Sequence, residues 1–228
     1  MLQDLVEKIQ NVGHWRVNFR PPNPPDQRLT MAECHEIVNR SRVSIRGWDY
    51  PHVQRNQDHG GWANVGEYAE NWCDWERHAE FWRMYRSTQF LHYRALTEDL
   101  TNSGPGRPEG AVLSVLGAIY TVAEITEFAS RLHQNGLYKD SLDIYVGLID
   151  TEDRQLWISQ FDRMSFFDTK STKIPRLDIH RHVEAEQLVE SPRDVSLSIL
   201  LELFDHFGWN PDPSLVQSDQ EKFYKRQW

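Results

Sequence analysis

One long apolar segment constrains the fold of this chain more than any other part of its sequence. It runs from Ala111 to about Leu132, and Asn135-Gly136 directly after it is a helix-ending signal. We therefore expect one long core helix against which the rest of the chain packs. Its apolar residues recur at helical spacing at Val115, Ile119, Val122, Ile125 and Phe128.

Segments in which apolar and polar residues alternate, as in half-buried strands, lie on both sides of this helix. Residues 14–20 and 42–48 predict strands, and residues 81–86 and 90–96 predict a β-hairpin across a short polar break. A long amphipathic helix is the alternative there, since Trp82, Tyr85 and Gln89 also lie at helical spacing. Residues 142–149 and 155–159 predict another hairpin, residues 176–186 alternate again, and residues 194–207 predict a last amphipathic helix.

Hairpins separated by single helices, without regular β-α-β alternation, indicate an α+β fold. We expect a mainly antiparallel sheet built from hairpins and packed against the long core helix and a C-terminal helix. Residues 1–207 are interpreted as a single domain, with a β-region at 14–96 and an acidic α/β half at 97–207. Little core-forming content follows Gly208, so residues 208–228 are expected to form a loosely ordered tail.

Tryptophan and arginine crowd the β-region, while the negative charge lies beyond it. Residues 1–96 hold 12 Lys and Arg against 12 Asp and Glu, whereas the rest of the chain supplies the whole net charge of −9. Eleven of those 12 cations are arginines and six of the nine tryptophans precede residue 83. An acidic chain is a poor general partner for nucleic acid, because that affinity depends on neutralised phosphates.

Membrane insertion and a disulfide framework are not expected either. No apolar run approaches the length that crosses a bilayer, and the first helix is amphipathic and charged, unlike a secretion signal. The two cysteines, Cys34 and Cys73, are too few for a disulfide scaffold. We therefore expect free thiols and a cytoplasmic setting, and the oligomeric state stays open.

The strongest metal-like spacing lies on the strand predicted at 176–186. Residues two apart on a strand face the same way, so its acidic and histidine side chains form one polar ladder. Imidazole and carboxylate groups together can bind a divalent metal. The favoured interpretation is nevertheless an ordinary half-buried strand with its polar side in water and no cofactor, and a divalent metal is the alternative. The ladder consists of Asp178, His180, His182, Glu184 and Glu186, and the candidate ligands are His180, His182 and Glu184.

Acidic residues also cluster around the hairpin predicted at 142–159, as in nuclease sites that hold magnesium. They are Asp143, Asp150, Glu152 and Asp153. Such sites also need a nearby lysine, and Lys139 and Lys170 are the closest along the chain. Turn formation explains the residues from Asp150 to Asp153 equally well.

Nucleophilic catalysis finds little support in the sequence. Ser114 lies in the apolar segment without the Gly-x-Ser-x-Gly turn of a hydrolase. Cys34 and His35 are adjacent on a predicted helix and therefore do not pair. Cys73 and His78 have no third orienting group in the local sequence, so both thiols are interpreted as structural.

Tryptophan and arginine together can form either a binding surface or a core with arginine stems packed across large rings. The sequence leaves both interpretations open. On the first, the binding residues are Arg46, Trp48, His52, Trp82, Arg83 and Arg86.

Two segments of the β-region resemble a pattern in uncharacterised bacterial proteins. The pattern joins Arg46-Gly47-Trp48-Asp49-Tyr50-Pro51-His52 to a second segment that begins at Trp82-Arg83 and ends at Phe90. Those proteins have Ser-Gly-Gln at a turn where this chain has Ser87-Thr88-Gln89. The resemblance implies a bacterial or phage origin and transfers no activity.

The sequence thus favours a non-catalytic binding or sensing module that recognises a protein partner or a small-molecule ligand. Its Trp/Arg-rich β-region is the expected binding surface. A metal-dependent hydrolase or nuclease is the alternative, using His180 and His182 or the Asp143–Asp153 hairpin.

Overall fold

The fold is built on an antiparallel sheet. The structure is a computed structural model that describes residues 2–24, 27–101, 104, 106–160 and 163–227. Within these residues the strands are β1 (His14–Arg20), β2 (Gly60–Asn64), β3 (Tyr68–Trp75), β4 (His78–Tyr85), β5 (Phe90–Ala95), β6 (Val112–Ser114), β7 (Ser141–Ile149), β8 (Gln155–Trp157) and β9 (Arg176–Glu184). Seven of them form one sheet in the order β2-β3-β4-β5-β1-β7-β9, and β6 pairs with β8 in parallel.

Helices pack on both faces of this sheet. They are α1 (Leu2–Gln10), α2 (Met31–Ser41), α3 (Thr97–Leu100), α4 (Val115–Gln134), α5 (Ala185–Glu190), α6 (Pro192–Asp205) and α7 (Pro213–Tyr224). The 20-residue α4 is the predicted core helix, and the Ser114 hydroxyl caps it by accepting a hydrogen bond from the Gly117 N–H. We call the sheet face against α4 the inner face.

Large apolar side chains pack between the inner face and α4. Phe128 of α4 contacts Phe19 of β1 and Phe90 of β5, with ring centres 6.2 and 5.0 Å apart. On the opposite, outer face, α1 buries Leu5 and Ile9 against Phe81 and neighbouring residues of β4 and β5. In the described part of the chain no helix packs on the outer face of β7 and β9, where His180 and His182 are about half exposed.

The predicted α+β class is confirmed, as is the hairpin at residues 81–96, which β4 and β5 form. Its turn places Thr88 at a φ of +68°. A β-branched residue is strained in this left-handed region, which glycine adopts freely.

Residues 42–48 do not form the predicted strand. This segment makes only an isolated bridge between Val43 and Tyr50, and Gly47 turns the chain with a φ of +82°. Alternation predicted a strand here, but the segment has no neighbouring strand to pair with along its length.

Two further expectations are wrong. The strands at 142–149 and 155–157 do not pair with each other, because β7 lies between β1 and β9 whereas β8 joins β6. The expected loose tail contains α7, which buries Val216 and Phe223 in the core and packs on α4. Among the described residues, no helix has the length and apolar character needed to span a bilayer.

Candidate functional site

A row of polar side chains crosses the inner face of the sheet, amid the apolar core. The register pairs Cys73 of β3 with Glu80 of β4, and Glu80 with Arg94 of β5. Trp15 of β1 continues the row opposite Arg94. Burying polar groups costs free energy unless they find partners. The row has a cavity at one end and a cluster of ionisable groups at the other.

The cavity, which we call the Arg46 cavity, lies between β5, the N-terminal end of α4 and β8. Its volume is about 310 Å³. Guanidinium groups, hydroxyls and indole rings meet in it, a mixture typical of small-molecule sites. The polar and aromatic residues that line it are Arg46, Arg94, Thr97, Glu98, Thr101, Ser114, Thr121, Ser159, Trp15 and Trp157.

Two arginines share one buried carboxylate at this cavity. Arg46 donates from Nε and Nη2 to the two oxygens of Glu124, at 2.9 and 2.7 Å. Arg94 Nη1 lies 3.6 Å from Glu124 Oε2, beyond hydrogen-bond distance. Among the residues that the structure describes, none accepts a hydrogen bond from the Arg94 guanidinium, so its donors remain available.

At the other end, Cys73, His78, Glu80 and His92 form what we call the Glu80 cluster. Glu80 Oε2 lies 3.0 Å from His78 Nε2 and 3.3 Å from His92 Nε2. One ligand atom each from Cys73, His78 and Glu80 lies within 4.8 Å of the others. The side chains of Glu80 and His92 are each 1% exposed and that of His78 is 12% exposed.

Hydrogen bonds engage only the outer atoms of the Glu80 cluster. Glu80 Oε1 accepts the main-chain N–H of His52 at 2.5 Å, and the Tyr50 hydroxyl lies 3.2 Å from His92 Nδ1. Glu80 Oε2, His78 Nε2 and His92 Nε2 are at contact distance, but their alignment does not meet hydrogen-bond geometry within the described part of the chain. Three buried polar atoms therefore converge without a hydrogen-bond partner.

Burial and charge set the protonation of the cluster. Burial would raise the pKa of the Glu80 carboxyl, but His78 and His92 outweigh it and hold this pKa well below its usual value. Burial lowers the pKa of His78, and Glu80 only partly opposes this effect. Burial and then the Glu80 charge raise the pKa of the Cys73 thiol, so it keeps its proton at neutral pH.

Trp48 and His52 cover the Glu80 cluster. The Trp48 ring stacks on His52 at 4.4 Å and lies 4.6 Å from the ring of His78. Trp75 meets Trp48 edge-on at 6.1 Å. The loop between α2 and β2 thus supplies an aromatic layer between the cluster and solvent.

Comparison with known proteins gives no relative for this site. The chain matches no protein-family model, no curated protein and no solved structure.

Half of the six predicted binding residues belong to these two sites. Arg46 lines the cavity, while Trp48 and His52 cover the Glu80 cluster. Trp82 is only 1% exposed, and its indole N–H donates to the His52 carbonyl at 2.8 Å. Trp82 therefore holds the loop that carries His52 from within the core.

The other two predicted residues lie apart. Arg83 is on the outer face, where Nε donates to Glu70 Oε2 at 3.0 Å and the guanidinium lies over the Tyr68 ring. Arg86 donates to the Leu29 carbonyl at 2.8 Å. Alternation along β4 places Trp82 and Arg83 on opposite faces, so they cannot contact one ligand.

The predicted histidine ladder forms a second, exposed group on the outer face. His180 Nε2 and His182 Nδ1 each lie 3.0 Å from Asp143 Oδ1, and we call these three residues the Asp143 cluster. Glu184 lies at its rim, 3.5 Å from His182 Nε2. In the described ranges, the three-residue set whose ligand atoms converge is Cys73, His78 and Glu80, not this ladder.

The acidic residues of the predicted nuclease hairpin also have structural partners. Asp150 and Asp153 both adopt positive φ, at 61° and 58°, in the turn after β7. Asp153 pairs with Lys173, and Asp150 lies 3.4 Å from the buried Arg154. Asp143 faces His180 and His182 instead, so the acidic residues are spread over separate contacts.

Sequence reasoning missed His92, Arg94 and the role of Glu80. Glu80 stands two residues after His78, which puts both side chains on one face of β4. That spacing was a usable signal for the third group that Cys73 and His78 lacked. The contribution of β5 was not visible, because it depends on strand register.

Proposed function

We propose that this protein is a non-catalytic binding protein that takes a small organic anion in the Arg46 cavity. The observation that carries the proposal is the Arg94 guanidinium, which borders the cavity with its hydrogen-bond donors available. A carboxylate or phosphate group of the ligand would accept from Arg94, since guanidinium forms paired hydrogen bonds with such groups.

The arrangement around Arg94 supports an anion as the occupant. Glu124 is bound on both oxygens by Arg46, so it cannot also satisfy the second guanidinium fully. The side chain of Arg94 is 14% exposed, which limits competition from water. Charge-assisted hydrogen bonds are stronger in such a setting than at an open surface.

The chemistry of the lining favours binding over catalysis. Within the described ranges, the residues that line the cavity include no histidine, cysteine or lysine. The Ser114 hydroxyl is engaged as the helix cap, and Glu98 Oε1 accepts the Ser114 main-chain N–H at 2.9 Å. The cavity therefore presents no paired nucleophile and base.

Thermal stability in the presence of small anions tests this function. We expect benzoate, succinate or inorganic phosphate to raise the melting temperature of the wild-type protein in a saturable manner, because a ligand stabilises the state that binds it. Arg94→Met should abolish the effect. The matched control is Arg16→Met, on β1 at the outer face, where Arg16 lies over the Tyr93 ring. A wild-type response no larger than that of Arg94→Met for all three anions would refute the proposal.

A further inference from the structure

We propose that Cys73, His78 and Glu80 bind a divalent transition-metal ion of the zinc class, with His92 as the adjoining fourth donor. This inference does not depend on the Arg46 cavity. It rests on the convergence of the donor atoms, on the lack of well-aligned hydrogen bonds to Glu80 Oε2, His78 Nε2 and His92 Nε2 among the described residues, and on the chemical identity of the donors.

The donor atoms are already close to the spacing that a metal ion requires. Zinc bonds of about 2.0–2.3 Å in a tetrahedral site place neighbouring donors about 3.3–3.8 Å apart. His78 Nε2 lies 3.0 Å and His92 Nε2 3.3 Å from Glu80 Oε2, and the Cys73, His78 and Glu80 ligand atoms fall within 4.8 Å. Cys73, His78 and Glu80 therefore form the converging set, and His92 adjoins it through Glu80 Oε2.

The sheet register makes this convergence a property of the fold. Cys73 stands directly opposite Glu80 on the neighbouring strand, and His78 precedes Glu80 by two residues on the same face. His92 of β5 lies opposite Trp82, which is the next residue after Glu80 on the same face of β4. Three strands hydrogen-bonded to one another thus supply the donors, which gives the site a rigid frame.

The buried atoms at the centre lack any other partner. Glu80 Oε2, His78 Nε2 and His92 Nε2 form no hydrogen bond within the described residues, although each is buried. Leaving a buried polar group unsatisfied is costly, and such groups call for a bound water or ion. Glu80 Oε1 is already held by the His52 N–H, so Oε2 is the oxygen left for a metal.

The donor types select the metal. A thiolate, an imidazole nitrogen and a carboxylate oxygen suit zinc, whereas magnesium and calcium prefer sites made of oxygen atoms alone. When the ion enters, the Cys73 S–H bond breaks, the proton leaves to solvent and a sulfur–metal bond forms. Tyr50 contacts His92 Nδ1, the outer-shell hydrogen bond that commonly orients a histidine ligand.

The position of the ion implies a structural role. The loop that carries Trp48 and His52 is held to the sheet through the His52 N–H and Glu80. A metal ion on Glu80 would fix this carboxylate and hence the loop. The His78 side chain, at 12% exposure, is the most exposed of the four donors.

Cobalt titration with two cysteine variants tests the site. The purified full chain is stripped of metal with a chelator and titrated with Co²⁺, followed by displacement with Zn²⁺. We expect one ion per chain, tetrahedral cobalt absorption and a thiolate-to-cobalt charge-transfer band. Cys73→Ser should lose the band and weaken binding more than about 100-fold, since even second-shell changes cost about 10–100-fold.

Cys34→Ser is the matched control, because Cys34 is also a buried free thiol but lies on α2 outside the Glu80 cluster. It should bind like the wild type. If Cys73→Ser fails to fold, His78→Gln is compared with His35→Gln on monomer isolated by gel filtration, and only His78→Gln should lose metal. Binding without stoichiometry in the wild type, or equal binding by Cys73→Ser and Cys34→Ser, would mean that water alone satisfies these atoms and would overturn the proposal.

Discussion

The Glu80 cluster and the Asp143 cluster each contain one carboxylate and two histidines, but the first is buried and the second is exposed. In each, one carboxylate oxygen lies about 3 Å from nitrogens of two histidines. Glu80 is 1% exposed on the inner face, whereas His180 and His182 are 47% and 50% exposed on the outer face. Burial, rather than residue type, therefore distinguishes these two groups of a carboxylate and two histidines.

The direction of the histidine pKa differs accordingly. Burial lowers the pKa of His78. The hydrogen bond to Asp143 raises the pKa of His182, because water solvates the charged ring and the carboxylate attracts it. His182 therefore favours the protonated ring, and His78 favours the neutral ring that a metal ion needs.

Removal of each carboxylate should give the largest contrast. In the presence of a chelator, we expect Glu80→Ala to lower the free energy of unfolding by about 3–5 kcal/mol, as when one partner of a buried charge pair is removed. Asp143→Ala should stay within about ±0.5 kcal/mol, as for surface substitutions. Urea unfolding measures the free energy of unfolding of both variants, and similar losses would contradict the contrast between the buried and the exposed cluster.

The pH dependence of stability should separate the clusters next. The unfolded chain binds a proton at His78 near pH 6.5, but the folded chain does so only at lower pH, so stability falls as the pH drops below 6.5. The lowered pKa of Glu80 extends this loss below pH 4.5. His182 acts in the opposite sense, because its stabilising effect is present below pH 6.5 and is lost as pH rises through its raised folded pKa.

Two glutamine variants check these signs. His78→Gln should flatten the acid side of the stability profile between pH 6.5 and 4.5, measured by urea unfolding at each pH in the presence of a chelator. His182→Gln should leave that slope in place. An unchanged slope in His78→Gln would contradict the assignment.

Salt should produce the smallest difference. Raising the ionic strength from about 0.1 to 1 M shortens the Debye length from about 10 to 3 Å. We expect the pKa of His182 to move back toward its ordinary value, while the pKa of His78 stays, since burial and not an open-surface charge sets it. NMR titration of the ring protons measures both, and a shift confined to His78 would be the contrary result.

The sequence was sufficient for the elements with strong periodicity. The apolar repeat of α4 and the alternation of β4 and β5 identified the core helix and the hairpin correctly. The prediction of a loose tail failed because only two of the buried positions that anchor α7, Val216 and Phe223, are apolar, while Asp219 and Gln220 are polar. The strand expected at 42–48 failed because alternation says nothing about whether a pairing partner exists.

The candidate site was harder to predict from the sequence, because strand pairing and register bring its residues together. Arg46, Trp48 and His52 were identified by residue type alone. His92 and Arg94 join them only through the register of β5 against β4. Conversely, the ladder of His180 and His182 is obvious in the sequence, yet its side chains point into water.

The place of β1 in the sheet bears on how quickly the chain can fold. β1 lies between β5 and β7, so Phe19 pairs with Phe90 while the adjacent Arg20 pairs with Asp143. Contacts between residues so distant along the chain slow folding, because the entropy of closing a long loop is lost before the contacts can stabilise the chain. The β2–β5 meander can assemble locally, but it joins the β7–β9 pair only after β1 has paired with both β5 and β7. Amide protons of β1 should therefore gain protection from exchange later than those of the β4–β5 hairpin.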